Sequence, residues 1–181
     1  MKGGVTVDNV IVYNTKVYDM GAQGIFGGPG SMRNIAFVNL LMEKDPSDSA
    51  LISQLTGDWD HLLLWHITTV DSGMLLREPE EMRNVFIQNC LFATMNHGDA
   101  TQLQRFTIDH NHYASLTWDQ TDPMGTNASV GDPLFRDVDS DDYTLQSDSP
   151  AVGAGTPLPG VPTDVDGAPW DPSSPALGCF A

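Results

Sequence analysis

The sequence predicts an all-β fold, a right-handed parallel β-helix (β-solenoid) of about five coils with a C-terminal covering tail, on three observations. One six-residue pattern recurs five times along the first two thirds of the chain. Its starts lie 25, 27, 23 and 21 residues apart. No segment between them carries a helical period, and Asp, Gly and Pro, the residues of turns, fill the gaps.

The pattern is a polar residue, an apolar one, a variable one, an apolar one, a variable one, then Asn or His. It reads Asn9-Val10-Ile11-Val12-Tyr13-Asn14, Asn34-Ile35-Ala36-Phe37-Val38-Asn39, His61-Leu62-Leu63-Leu64-Trp65-His66, Asn84-Val85-Phe86-Ile87-Gln88-Asn89 and Arg105-Phe106-Thr107-Ile108-Asp109-His110. Alternation at period two makes each copy a short strand with one buried face, and strands repeated at this interval bury their inward side chains on the copies before and after them. Two inward columns follow: Val10, Ile35, Leu62, Val85 and Phe106, then Val12, Phe37, Leu64, Ile87 and Ile108. The outward columns are Ile11, Ala36, Leu63, Phe86 and Thr107, then Tyr13, Val38, Trp65, Gln88 and Asp109. The right hand comes from the crossover preference of parallel strands.

Taken in order, residues 5 to 19 hold the first strand and a short second one around Val17, and the glycine-rich run from Gly21 to Gly30 supplies turns around Ile25-Phe26. Ser49-Ala50-Leu51-Ile52 and Ser72-Gly73-Met74-Leu75-Leu76 occupy the same place in the next two coils. The closing residues Asn14, Asn39, His66, Asn89 and His110 are expected to stack as a polar ladder that satisfies backbone groups at a bend. Three residues further on, Val17, Met42, Thr69, Phe92 and Tyr113 form the next inward position. His66 and His110 are therefore corner residues before they are catalysts.

The chain of 181 residues is one domain, with coils over 5–115 and a last coil and covering tail over 116–181. A net charge of -16, with 20 Asp, 4 Glu and only three Lys and five Arg, repels phosphate backbones and excludes nucleic acid as a partner. Cationic ligands are electrostatically easier. Two cysteines, Cys90 and Cys179, make neither a disulfide framework nor a zinc site, and whether they pair stays open. No apolar run approaches the roughly 20 residues that span a bilayer. Met1 to Gly4 lead into the first strand with no signal-peptide core, as expected of a cytosolic chain or one written without its leader.

From about residue 116 the pattern changes. Asp132-Pro133-Leu134-Phe135, an aspartate-rich turn, Leu145-Gln146, Ser149-Pro150-Ala151, Asp164-Val165-Asp166-Gly167 and Leu177-Gly178-Cys179-Phe180 follow in order. This series resembles the C-terminal ends of secreted right-handed parallel β-helix proteins of the pectate-lyase-like superfamily. The resemblance implies an extracellular or cell-surface location and a polysaccharide as partner. It departs at Ala176 and Ala181, where the family carries acids, and weaker polar docking of the tail is expected there.

The resemblance places enzymatic sites of this kind on an outer groove, with acidic or basic side chains on consecutive coils. Here the outward columns are mostly apolar and hold no pair of neighbouring acids, so a cover is expected over them: the tail, another segment or a second copy of the chain. A sugar platform made by Tyr13 and Trp65 is the sharper alternative. Asp109, His110 and His112, with His97 and Asp99 from the preceding coil, are the candidates for acid-base or metal chemistry. The loop acids Asp58, Asp60, Asp71, Glu78, Glu80 and Glu81 are read as solvated. Asp137-Val138-Asp139-Ser140-Asp141 has the alternating acids of a calcium loop, but Asp142 stands where an EF-hand loop needs Gly. It reads as a turn between two tail strands; no cofactor is expected, and calcium is not favoured. Two functions remain: a non-catalytic or remnant β-helix module for carbohydrate-related binding or assembly, expected to form homo-oligomers, and a polysaccharide lyase or glycoside hydrolase.

Overall fold

Left-handed backbone at two fixed places in each of the first four repeats, and at the second place in the fifth, bends the chain, and these bends organise the rest. The computed structural model describes residues 5–20, 25–26, 30–44, 52–53, 58–71, 73–76, 82–97, 105–116 and 125–181. The strands are β1 (Val5–Met20), β2 (Ile25–Phe26), β3 (Gly30–Lys44), β4 (Ile52–Ser53), β5 (Asp58–Val70), β6 (Met74–Leu76) and β7 (Met82–Gln88). There follow β8 (Leu91–Phe92), β9 (Met95–His97), β10 (Thr107–Asp109), β11 (His112–Tyr113), β12 (Ser129–Val130), β13 (Phe135–Asp137) and β14 (Asp142–Leu145). The fold is all-β and its main sheet is parallel: β1 pairs β3, β3 pairs β5, β5 pairs β7 and β8, and β10, β11 and β12 continue the stack.

Asn14, Asn39, His66, Asn89, His110 and Asn127 have φ between 50° and 55°, and Asn9, Asn34, His61 and Asn84 between 52° and 59°. Asn tolerates this conformation better than other L-residues because its short amide bonds locally. The pairing steps over each of them: Asp8 faces Arg33 and Val10 faces Ile35, then Tyr13 faces Val38 and Thr15 faces Leu40. Each long strand is thus three straight segments joined by two corners. The pattern's opening polar residue, read from sequence as the start of a strand, is a corner as well.

The register aligns the inward and outward columns as expected, with Val12, Phe37, Leu64, Ile87 and Ile108 in one row. Leu62, Leu64, Val85 and Ile87 are buried, and Met42, Phe92 and Tyr113 extend this core past the second corner. Val10 departs from expectation: it is 37% exposed, because β1 pairs on one edge only among the described strands. Phe37 and Val12 are half-buried against the core. The second strand position forms its own parallel sheet of β2, β4, β6 and β9, four strands where the sequence indicated three. Among the described residues no helix is long and apolar enough to cross a membrane.

The tail begins with an antiparallel pair, β13 and β14, joined through a single 3-10 turn at Val138–Ser140. This is where the aspartate-rich run lies, and Ser140 Oγ donates to Asp137 there at 2.9 Å. Residues 145–181 then run irregularly over the outward columns. Ala36 and Val38 are buried by Leu145, Ala151, Val161, Trp170, Ala176 and Leu177, with Leu63 and Trp65 half-buried beside them. Around Ala176 and Ala181, which carry no acid, backbone groups make the docking bonds. Gly178 N donates to Asn89 O (2.8 Å), Cys179 N to Thr68 Oγ1 (2.9 Å) and Ala181 N to Asp164 Oδ2 (2.9 Å). Gly178, at φ 84°, lies so close to Thr68 Oγ1 that a Cβ would overlap it. Cys90 and Cys179 are both buried and free.

Candidate functional site

The corners decide where the sequence-selected residues point. Asp109 ends an outward segment, His110 is the corner itself, Asn111 turns into the core and His112 faces out again under cover. Asp109 Oδ1 accepts from Thr126 Oγ1 (2.7 Å) and Asn127 Nδ2 (2.9 Å), and its Oδ2 lies 2.9 Å from His110 Nδ1. Partial burial alone would raise the Asp109 carboxyl, but these three partners outweigh it and hold the group below its ordinary value. Asn111 is fully buried and satisfied, accepting from Cys90 N and donating to Ile87 O, each at 2.9 Å. His112 bonds Ser129 Oγ and Gly131 O at 2.8 Å with its two nitrogens, and burial lowers its pKa. His97 lies on β9 in the other parallel sheet, and Asp99 falls outside the described residues. Asp109 and His110 meet directly, and Asp109 and His112 tie this layer of the stack to the next.

Tyr13 and Trp65 share an outward column with Val38 between them. Tyr13 is 40% exposed, whereas Trp65 packs into the cluster made by the tail. An open platform of two aromatic faces is therefore not what the column presents while the tail is docked.

A cleft that sequence reasoning missed opens between the far ends of β3 and β5 and the β13–β14 pair. It encloses about 430 Å³, with Val70, Leu91, Pro133, Phe135 and Val138 among its apolar lining and Glu43, Asp71, Asp132 and Asp139 among its polar lining. Its volume is in the range of small-molecule sites, and no Lys or Arg is among the described residues lining it. Glu43 ends the paired register of β3 against Val70, and Asp71 follows directly in a left-handed conformation at φ 63°. Partial burial, with the fields of Asp141, Asp19 and Asp71, raises the Glu43 carboxyl above its ordinary value against the opposing hydrogen bond from Tyr143. Burial and the same carboxylate push the Tyr143 hydroxyl up. Phe135 meets Tyr143 edge-on, ring centroids 5.6 Å apart. The one available sequence signal was that Glu43 is the only glutamate outside the Arg77–Glu81 loop.

A second, smaller hollow of about 260 Å³ lies in the tail over the ladder, lined by His66, Trp170, Asp171, Leu158, Val161 and four prolines. The His66 and Trp170 rings stack at 4.2 Å, 23° from parallel.

Among the described residues no group of three or more His, Cys, Asp or Glu is arranged to hold a metal ion. Compared with known proteins, the chain matches no family model and no curated sequence.

Proposed function

We propose that the chain is a right-handed parallel β-helix module of about five coils, of the pectate-lyase-like kind its tail motifs resemble, that binds carbohydrate without cleaving it. The observation that carries this is the cleft beside Glu43 and Tyr143. Apolar and aromatic walls suit the C–H faces of a pyranose, and carboxylates on the rim accept from its hydroxyls. The uniform negative rim favours neutral or amino sugars over uronic acids. Supporting the non-catalytic part, the outward columns hold no neighbouring acid pair, and Ala36, Val38, Leu63 and Trp65 among them pack against the tail. An extracellular or cell-surface location fits this reading.

One observation favours a second reading, a glycoside hydrolase. A carboxyl raised above its ordinary value within a cleft of further carboxylates is the pattern of a general acid, with Glu43 as proton donor and Asp71, Asp132 or Asp139 as its partner. A panel of neutral, amino and uronic polysaccharides, with and without calcium, separates the two. Binding lost in Glu43→Ala with no new reducing ends or unsaturated products supports the module. Reducing ends from wild type that vanish in Glu43→Gln while binding survives support the hydrolase. No binding to any member ends both.

Assembly is the other half of the proposal. β1 exposes Val10, Ile11, Tyr13 and Tyr18 and pairs on one edge only among the described strands, and a two-fold pairing of such edges would bury them. Sedimentation at micromolar concentration tests it, and a clean monomer would remove it.

A further inference from the structure

Three ladder residues carry the tail, and only one of them can change its charge. Asn39 Nδ2 donates to Thr163 O at 2.7 Å. Asn89 Nδ2 donates to Thr156 O at 2.6 Å, and its Oδ1 accepts from Thr156 N at 3.0 Å. His66, 1% exposed, stands between them with Nδ1 3.0 Å from Gly178 O and Nε2 3.1 Å from Asn89 Nδ2.

These partners settle the state of the ring. A carbonyl only accepts, so Nδ1 must carry the proton. Asn89 cannot rotate its amide without losing Thr156 N from its oxygen, so it offers N–H to Nε2, which must be bare. The docked tail thus requires neutral His66. A second proton on Nε2 would set N–H against N–H and charge a ring already withdrawn from water.

We propose that His66 is an acid-operated release for the tail: protonating its ring frees residues 156–178 from the ladder while the stacked strands beneath stay paired. The strands have their own backbone ladder and their own core, whose described members include none of residues 156–178. Release would uncover Ala36, Val38 and Trp65, joining Trp65 to the column that already exposes Tyr13. This does not depend on the carbohydrate reading.

Burial holds the ring to about 4, against the opposing bond to Gly178 O, so the docked state takes a proton some two to three orders of magnitude less readily than free imidazole. The titratable groups around it do not counter this. Asp171, across the small hollow, is occupied by Ser173 and Ser174. Asp164 accepts from three backbone amides of the tail. The Cys90 and Cys179 thiols are each pushed up to about 12 by burial and stay neutral. Stacking on Trp170 would favour a cation, but that attraction is weaker than the desolvation of the charge and the lost Asn89 bond together.

Wild type and His66→Asn are compared between pH 6.5 and 3.5 by acrylamide quenching of tryptophan fluorescence, with far-UV circular dichroism alongside. Asn already serves at the neighbouring ladder positions. Wild type is expected to show a several-fold rise in quenching while its β-sheet signal holds, and His66→Asn to stay flat. ¹⁵N-histidine NMR of the wild type, expected to give an Nδ1–H tautomer that takes its second proton near pH 4, decides the matter should the variant not fold. Equal opening in both proteins, loss of sheet together with the rise in quenching, or an Nε2–H tautomer would overturn the proposal.

Discussion

β1 and β5 carry the same pattern in the same register, and their fates differ. Val10 is 37% exposed and its counterpart Leu62 only 1%. Asn14 lies at the surface, while His66 at the same corner is buried beneath Trp170. Tyr13 is 40% exposed, and Trp65 in its column packs under the tail. The pattern sets which way each side chain points, and the neighbours decide what that direction is worth. β5 has strands on both edges and the tail across its outer face, whereas β1, among the described strands, has β3 alone.

The sharpest way to break this contrast is to shave the same column in both strands. Leu64→Ala should cost about 2–5 kcal/mol and Ile87→Ala a similar amount, because each empties a site closed on all sides. Val10→Ala, at an open edge, should cost less than about 1 kcal/mol. Urea unfolding of the three variants measures this, and equal losses would show that the two strands are equally enclosed.

Acid should separate the strands next, through His66. Its pKa in the folded chain is about 4 against 6.5 for the free side chain, so between those values the unfolded chain holds a proton that the folded one refuses. Stability is therefore complete above pH 6.5 and falls as pH drops towards 4. The loss should be roughly 3 kcal/mol, seen as the excess slope of wild type over His66→Asn in urea titrations at several pH values.

The ladder gives a smaller difference. Asn89→Ala removes both bonds to Thr156 and strands a buried ring nitrogen, which should cost about 2–4 kcal/mol. Asn14→Ala loses one partly exposed bond from Asn39 and places Ala in left-handed backbone, for about 1–2 kcal/mol. Thermal unfolding should rank them in that order. Smallest of all, millimolar calcium should leave the melting temperature of wild type unchanged, and a rise reversed by chelator would reopen the turn at Asp137–Asp141 as an ion site.

The stacked region was legible because its physics is periodic. Alternation at period two names the inward row from Val12 to Ile108, and a recurring Asn or His names the corner. The first corner was not legible, because Asn9 or Asn34 looks the same at the start of a strand as at a bend. The cover was legible as a need, from the apolar column of Ile11, Ala36, Leu63 and Phe86, but its path was not. Backbone groups dock it, and side-chain pattern does not record them. The cleft escaped for a related reason, since Glu43, Asp71 and Tyr143 come from segments with no shared spacing. Asp109 and His110 were legible as neighbours and do meet, whereas His112, past the corner at His110, bonds Ser129 and Gly131, which share no spacing with it.

The tail's bonds have a consequence for how the molecule comes apart. Repeats that touch only their neighbours fray and open in pieces, since each layer is held by the next. Here Lys16 pairs with Asp166 at 2.6 Å, Asn39 with Thr163, His66 with Gly178 and Asn89 with Thr156, so one strap crosses four successive layers. No layer beneath it can open without straining the bond at its own rung and at those beside it. A stack that would melt by degrees is thereby made to unfold as one cooperative unit.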